Sequence, residues 1–184
     1  MRIFMFAAAL RAESTNKKLI NIAADLAKKA NHEVDLASFS EFMLPLYDGD
    51  MEKNQGIPQI TKDFVARMQK SQALVISSPE YNHSTPGTLK NLIDWVSRIQ
   101  PSPWKNQYIL LLSASPAMVG GNRGLWATRI PLECCGSFVY PDMFSLSNAY
   151  AAFDQNNQLL DEKLTARLEG LIKDFADHAA QCTR

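Results

Sequence analysis

Hydrophobic residues along the chain fall into two alternating kinds of pattern. Short unbroken apolar runs, such as Ala73-Leu74-Val75-Ile76 and Tyr108-Ile109-Leu110-Leu111-Leu112, lack in/out alternation. Such runs suit strands covered by helices on both faces. They predict strands over 2–8, 33–38, 72–78, 107–114 and 137–140. Between them, apolar residues recur at three- and four-residue spacing, the signature of a one-faced helix. Leu19, Ile22, Ala23, Leu26, Ala27 and Ala30 form the first such stripe, with Ser14 or Thr15 placed to cap it. A second helix starts near Pro58 and carries Ile60, Phe64, Val65 and Met68. A third, over 86–99, carries Leu89, Leu92, Ile93 and Val96 with Pro86 in its first turn. A fourth near 124–135 is interrupted by Pro131, and a fifth over 161–180 follows Asp161 and Glu162. Strands alternating with helices imply crossover connections and a parallel sheet.

Two long stretches, 40–57 and 141–160, show neither period. In open parallel sheets ligands sit outside the carboxyl ends of the strands where strand order reverses. The loops that matter are therefore 8–16, 79–86 and 113–124. No repeat, low-complexity tract or linker divides the chain, so its 184 residues are expected to form one domain. The apolar start, Ile3 to Leu10, is too short for a leader and is followed at once by Arg11, Glu13 and Asn16, so it is read as the first strand. No apolar run approaches the roughly 20 residues that span a bilayer.

Charge removes one function class. Nineteen basic residues balance nineteen acidic ones, so the basic excess that nucleic-acid binding needs is missing. Cys134, Cys135 and Cys182 lack metal-ligand spacing and fit reduced thiols of a cytoplasmic protein, with no metal site expected. His32 and His178 are expected to be surface or capping residues, and Trp95 a core residue; Trp104 and Trp126 fit either core or subunit contact.

Loop 8–16 reads Ala8-Ala9-Leu10-Arg11-Ala12-Glu13-Ser14-Thr15-Asn16. It gathers hydroxyls, an amide and free backbone N–H groups at a helix N-terminus, a ready anion site or simply a capped turn. Neither G-x-G-x-x-G nor a P-loop motif is present, and no cysteine nucleophile stands in the loop. Loop 79–86 sets an aromatic and an amide between two prolines ahead of a helix. It suits a flat polar ring system, or again a capped turn.

The run Pro79-Glu80-Tyr81-Asn82-x-Ser84-x-Pro86-Gly87-x-Leu89-Lys90-Asn91-x-Ile93-Asp94-Trp95 resembles the signature of the NADPH-dependent FMN reductase family, a flavodoxin-like group. Leu10-Arg11-x-x-Ser14-x-Asn16 resembles that family's phosphate loop, and Leu44-Pro45-Leu46-Tyr47-Asp48 its second loop. Ser115, Gly120-Gly121-x-Arg123, Ala151-x-Phe153-Asp154 and Leu160-Asp161 extend the likeness over nearly the whole chain. Ala8-Ala9 stands where the family usually has Gly-Ser, and Ala117 where it usually has glycine; the missing serine implies one phosphate donor fewer and looser FMN binding.

The resemblance implies a three-layer α/β fold with five parallel strands in order 2-1-3-4-5 and a site at the switch point between the first and third. It also implies an oxidoreductase that passes hydride from NADPH or NADH through bound FMN to quinones or other small-molecule acceptors. Arg11, Ser14, Thr15 and Asn16 would hold the FMN phosphate. Pro79, Glu80, Tyr81 and Asn82, with Ser113 and Ser115, would surround the ring, and Tyr81 would line the substrate opening. No side chain need act as acid or base, and His83 can approach a substrate. A homodimer or homotetramer is implied, with Met43, Leu44, Leu46 and Tyr47 as an apolar group in an otherwise solvated loop. The alternative is a flavodoxin-like binding or electron-carrier module with weak or no FMN binding; the carrier role suits a neutral chain less than a strongly acidic one.

Overall fold

The computed structural model describes residues 1–182. In chain order it contains β1 (Arg2–Ala7), α1 (Thr15–Lys29), β2 (Glu33–Ala37), α2 (Gly49–Gln55), α3 (Gln59–Gln69), β3 (Ala73–Ser77), α4 (Gly87–Ser97), β4 (Tyr108–Ala114), α5 (Asn122–Cys134), β5 (Phe138–Val139), β6 (Phe144–Leu146) and α6 (Glu162–Cys182). Two 3-10 turns, Phe39–Phe42 and Ala149–Ala151, complete the set. All strand pairings are parallel, in order β2-β1-β3-β4-β5, with β6 also pairing to β4. This is the expected flavodoxin-like order.

Alternate side chains of the central strands feed two separate cores. Ile3, Met5, Val75, Leu110 and Leu112 pack with α1 and α6 through Leu19, Ala23, Leu168, Ile172 and Phe175. Phe4, Phe6, Leu74, Ile76, Ile109 and Leu111 pack with α3, α4 and α5 on the other face. On that face Phe64 is fully buried, its ring 5.0 Å from Phe42 and 5.3 Å from Phe4. Burial on both faces explains the unbroken apolar runs.

The structure departs from the sequence expectation at three places. The fifth strand position is split: β5 pairs with the start of β4 and β6 with its end. Between them Pro141 has no N–H to give a ladder and the Met143 N–H is taken by the Asp142 side chain at 2.8 Å. The stretch 40–57 hides α2, whose N-cap Asp48 accepts from Asp50 N and Met51 N and whose C-cap is Gly56 at φ 76°. It buries no residue, so it leaves no apolar period in the sequence. Pro131 lies inside α5 without ending it.

Trp95 and Trp104 are fully buried, whereas Trp126 is exposed. No described helix is long and apolar enough to cross a membrane.

Candidate functional site

At the carboxyl end of the sheet, β1 ends and the chain swings out before α1. Ala8 N–H donates to Ser77 O at 2.9 Å and Ala9 N–H to Ala7 O at 2.7 Å, so the first two loop residues remain part of the interior. Ser14 then caps α1 with extended backbone, φ −78° and ψ 128°, its hydroxyl accepting from Asn16 N–H. That leaves the Ser14 O–H proton free to donate. Around it, the backbone N–H groups of residues 10–15 have no acceptor among the described residues. The Arg11 guanidinium has no partner there either. Free N–H groups at a helix N-terminus, beside an unpaired guanidinium, attract an anion.

Asn16 is largely engaged by the sheet. It is 1% exposed, and its Oδ1 accepts from Ser77 Oγ at 2.9 Å and from Ala114 N–H at 3.0 Å while its Nδ2 donates to Ala114 O at 2.8 Å. Three of its four hydrogen-bonding positions therefore tie α1 to β3 and β4, and one N–H remains. Thr15 likewise donates its hydroxyl to Ala114 O at 3.2 Å.

The second loop, 78–86, is a rigid tongue. Tyr81 and Ser84 exchange backbone hydrogen bonds of 3.2 and 3.0 Å around Asn82 and His83. Those two residues have φ of 52° and 60°, the left-handed pair that a type I′ turn requires. Asn82 thus makes the turn and does not line the cleft. Three side chains fasten the tongue to α5. Glu80 Oε2 accepts from Gly124 N–H at 2.7 Å, an anion at a helix N-terminus; His83 Nε2 meets Arg123 at 3.0 Å; Thr85 and Thr128 share a hydroxyl hydrogen bond. A Cβ on Gly124 would stand 2.9 Å from Glu80 Cβ, so glycine is needed for this approach. The backbone N–H groups of Glu80 and Asn82 have no acceptor among the described residues.

The third loop follows β4. Ser115 accepts from Ala117 N–H at 3.2 Å and keeps its hydroxyl proton for another partner. Ser113 is fully buried, its Oγ without a partner, and a Cβ at Gly121 would fall 2.1 Å from that oxygen. It supports the Gly120–Gly121 turn from below and does not face the cleft.

These loops enclose a depression of about 360 Å³. Of the residues expected from the sequence, Arg11, Ser14, Thr15, Asn16, Pro79, Glu80, Tyr81 and Ser115 line it, and Asn82 and Ser113 do not. Ala114, Pro116 and Tyr150 also line it and were not foreseen. Tyr150 comes from the 3-10 turn after β6, tied to this loop by the Ala149 N–H donating to Ser115 O at 3.1 Å. Tyr81 and Tyr150 are 55% and 69% exposed, so the cleft has two aromatic rims. Ala8 and Ala9 are buried and lie outside its lining.

The loop 43–48 is pinned to α4 beside this end of the sheet. Trp95 Nε1 and Asn91 Nδ2 both donate to Pro45 O at 2.8 Å, and Asn91 Oδ1 accepts from Tyr47 N–H at 2.8 Å. That gives Asn91 and Trp95 of the signature run a structural task.

A family model for NADPH-dependent FMN reductase matches residues 1–151. A quinone reductase of Escherichia coli (strain K12) is 30% identical over 136 residues, covering 73% of this chain and 72% of that protein. An NAD(P)H:quinone oxidoreductase of Solanum tuberosum is 30% identical over 166 residues, 89% of this chain and 84% of that protein. Among solved structures, the flavoenzyme NAD(P)H:(acceptor) oxidoreductase FerB from Paracoccus denitrificans superposes with a TM-score of 0.84 at 25% identity, covering 98% of this chain and 97% of that one.

Proposed function

Because this chain belongs to the NADPH-dependent FMN reductase family, we propose that the depression between the three loops seats FMN and that the protein passes reducing equivalents from NAD(P)H to quinones or similar small acceptors. The observation that carries the assignment is the unused donor set at the start of α1. Arg11, Ser14 and Thr15 bring to the depression an unpaired guanidinium, a free hydroxyl proton and backbone N–H groups without a protein acceptor, where a phosphate dianion would be welcome. The residues present therefore fit the cofactor. Arg11, Ser14 and the N–H groups of 10–15 would hold its phosphate, with Thr15 and Asn16 shaping the floor. Pro79, Glu80 and Tyr81, with Ser115 and the unforeseen Tyr150, would flank the ring.

Bound FMN supplies the hydride chemistry; the protein supplies place and field. The free N–H group of Glu80, which lines the depression, can donate to the polar edge of a flat ring and stabilise negative charge there. Three fastenings to α5 keep this donor fixed, so little reorganisation accompanies electron transfer. Tyr81 excludes water from one side of the opening and leaves the mouth wide, which suits acceptors of varied shape. No side chain in the cleft is required as acid or base.

The chain is also proposed to act as a homodimer or homotetramer. Leu46 is 81% exposed on the pinned loop, and Trp126 and Ile130, one helical turn apart on α5, are 56% and 70% exposed. Apolar side chains grouped on one exposed helix face, as Trp126 and Ile130 are, suit a surface covered by a partner. The experiment for the cofactor assignment is titration of the purified protein with FMN, followed by flavin fluorescence. Saturable binding is expected, and Ser14→Ala should weaken it about tenfold, since a hydrogen bond to a charged group is worth about 1.5–3 kcal/mol.

A further inference from the structure

The described arginines divide sharply by their partners. Arg2, Arg67 and Arg98 are paired with carboxylates, Arg129 with Glu133 and two carbonyls, and Arg167 with the Met143 carbonyl. Arg11 and Arg123 alone have no acceptor oxygen among the described residues. Both stand at the carboxyl end of the sheet. Arg11 lines the depression and is accounted for by the cofactor phosphate.

Arg123 does not line the depression; it lies outside, at the second residue of α5. Its one contact is with His83 Nε2 at 3.0 Å. A guanidinium only donates, so Nε2 must accept and the imidazole proton sits on Nδ1. The imidazole steers the guanidinium and brings no carboxylate to cancel its charge, and four of its five N–H donors stay free. The nearby carboxylate, Glu80, is turned to the Gly124 N–H and makes no ion pair with Arg123. The placement is rigid on both sides. His83 sits on the type I′ turn two residues beyond Tyr81, and Arg123 follows Gly120 and Gly121, whose φ of 61° and 85° and contacts with Ser113, Ser145 and Leu146 admit no side chain. A fixed, uncancelled guanidinium is a phosphate receptor, able to bind two oxygens at once.

We propose that Arg123, positioned by His83, grips a phosphate group of the dinucleotide electron donor as it enters over Tyr81. This rests on the function proposed above, because the donor is what brings phosphate to this rim once the inner site is filled. The phosphate belongs to the pyrophosphate shared by NADH and NADPH or to the 2′-phosphate found only in NADPH. The two sources predict different patterns.

The test titrates FMN-loaded protein calorimetrically with NADP⁺ and NAD⁺, which bind without turnover. Arg123→Gln should weaken NADP⁺ binding about tenfold, the loss expected for a charge-assisted hydrogen bond. Equal weakening of NAD⁺ assigns the pyrophosphate, and unchanged NAD⁺ assigns the 2′-phosphate; either supports the proposal. Arg123→Lys should recover part of the affinity. His83→Ala should weaken binding less than Arg123→Gln, and His83→Gln, which retains an acceptor, should restore it. In steady state, the same loss should appear in KM for the donor and not in kcat. Nucleotide affinities within twofold of the parent for Arg123→Gln, or FMN affinity falling in step with them, would overturn the proposal. If the unmodified loaded protein binds neither nucleotide and neither reduced form bleaches its flavin, the proposed function itself fails and takes this inference with it.

Discussion

Replacing Asn16 by alanine removes the side chain that ties the start of α1 to β3 and β4. Two buried donors, Ser77 Oγ–H and Ala114 N–H, lose their acceptor; Ala114 O keeps the Thr15 hydroxyl. An orphaned buried polar group costs about 1–3 kcal/mol, so the pair costs about 2–6 kcal/mol. The lower half of that range is expected because the Ser77 hydroxyl can rotate. A loss of about 3 kcal/mol would lower the thermal midpoint of a domain this size by about 6–12 °C. Ser77→Ala leaves Asn16 Oδ1 still paired with Ala114 N–H and should cost only about 1 kcal/mol. The assay is urea unfolding of the parent and both variants without cofactor, with FMN affinity measured separately. If Asn16→Ala unfolds within about 1 kcal/mol of the parent yet loses FMN affinity by about a hundredfold, Asn16 is a cofactor ligand, and its role as a tie between α1 and the sheet is refuted.

Gly121→Ala should destabilise by about 2–5 kcal/mol, since it combines a left-handed backbone with a Cβ driven against Ser113; thermal unfolding reads it, and a cost below about 0.5 kcal/mol would contradict the tight turn. Arg67 hydrogen-bonds Asp35 and holds its carboxyl below the ordinary value of 3.8, so the ionised form favours the native state. That contribution is complete above the ordinary value and is lost as pH falls through the lower native one. Urea midpoints of Asp35→Asn should therefore fall less steeply than those of the parent below about pH 4. Tyr81→Phe should keep flavin binding and turnover while Tyr81→Ala weakens both, and equal loss in the two would reveal a chemical role for the hydroxyl. Light scattering at micromolar concentration should give a dimer or tetramer that Ile130→Glu dissociates, and a monomeric parent would rule out the proposed association.

Five of the six strands and five of the six helices were legible, the central strands as unbroken apolar runs buried on both faces and the helices because each buries a periodic face. Leu89, Leu92, Ile93 and Val96 are all essentially buried, as their spacing implies. The seven-residue α2 buries nothing and is marked only by its caps Asp48 and Gly56. The broken last strand depends on Pro141 and Asp142, too local a signal to outweigh the surrounding irregularity. In the site, local spacing located both principal loops but could not reveal side-chain partners far along the chain. Asn16 looks like an anion ligand beside Ser14, and only the fold shows that Ser77 and Ala114, 61 and 98 residues away, occupy it. Tyr150 was hidden for a similar reason. The left-handed Asn148, φ 48°, and a backbone bond to Ser115 bring it back to the cleft from a stretch with no period.

On the proposed function, one cleft binds FMN and delivers electrons from a nicotinamide donor to a small acceptor. Anaerobic spectroscopy of the FMN-loaded protein tests it most directly. Addition of NADPH should bleach the visible flavin absorption, and a quinone added next should restore it in proportion to the quinone consumed. A protein that remains colourless after incubation with FMN, or one that stays yellow in excess NADPH and NADH, would contradict the account.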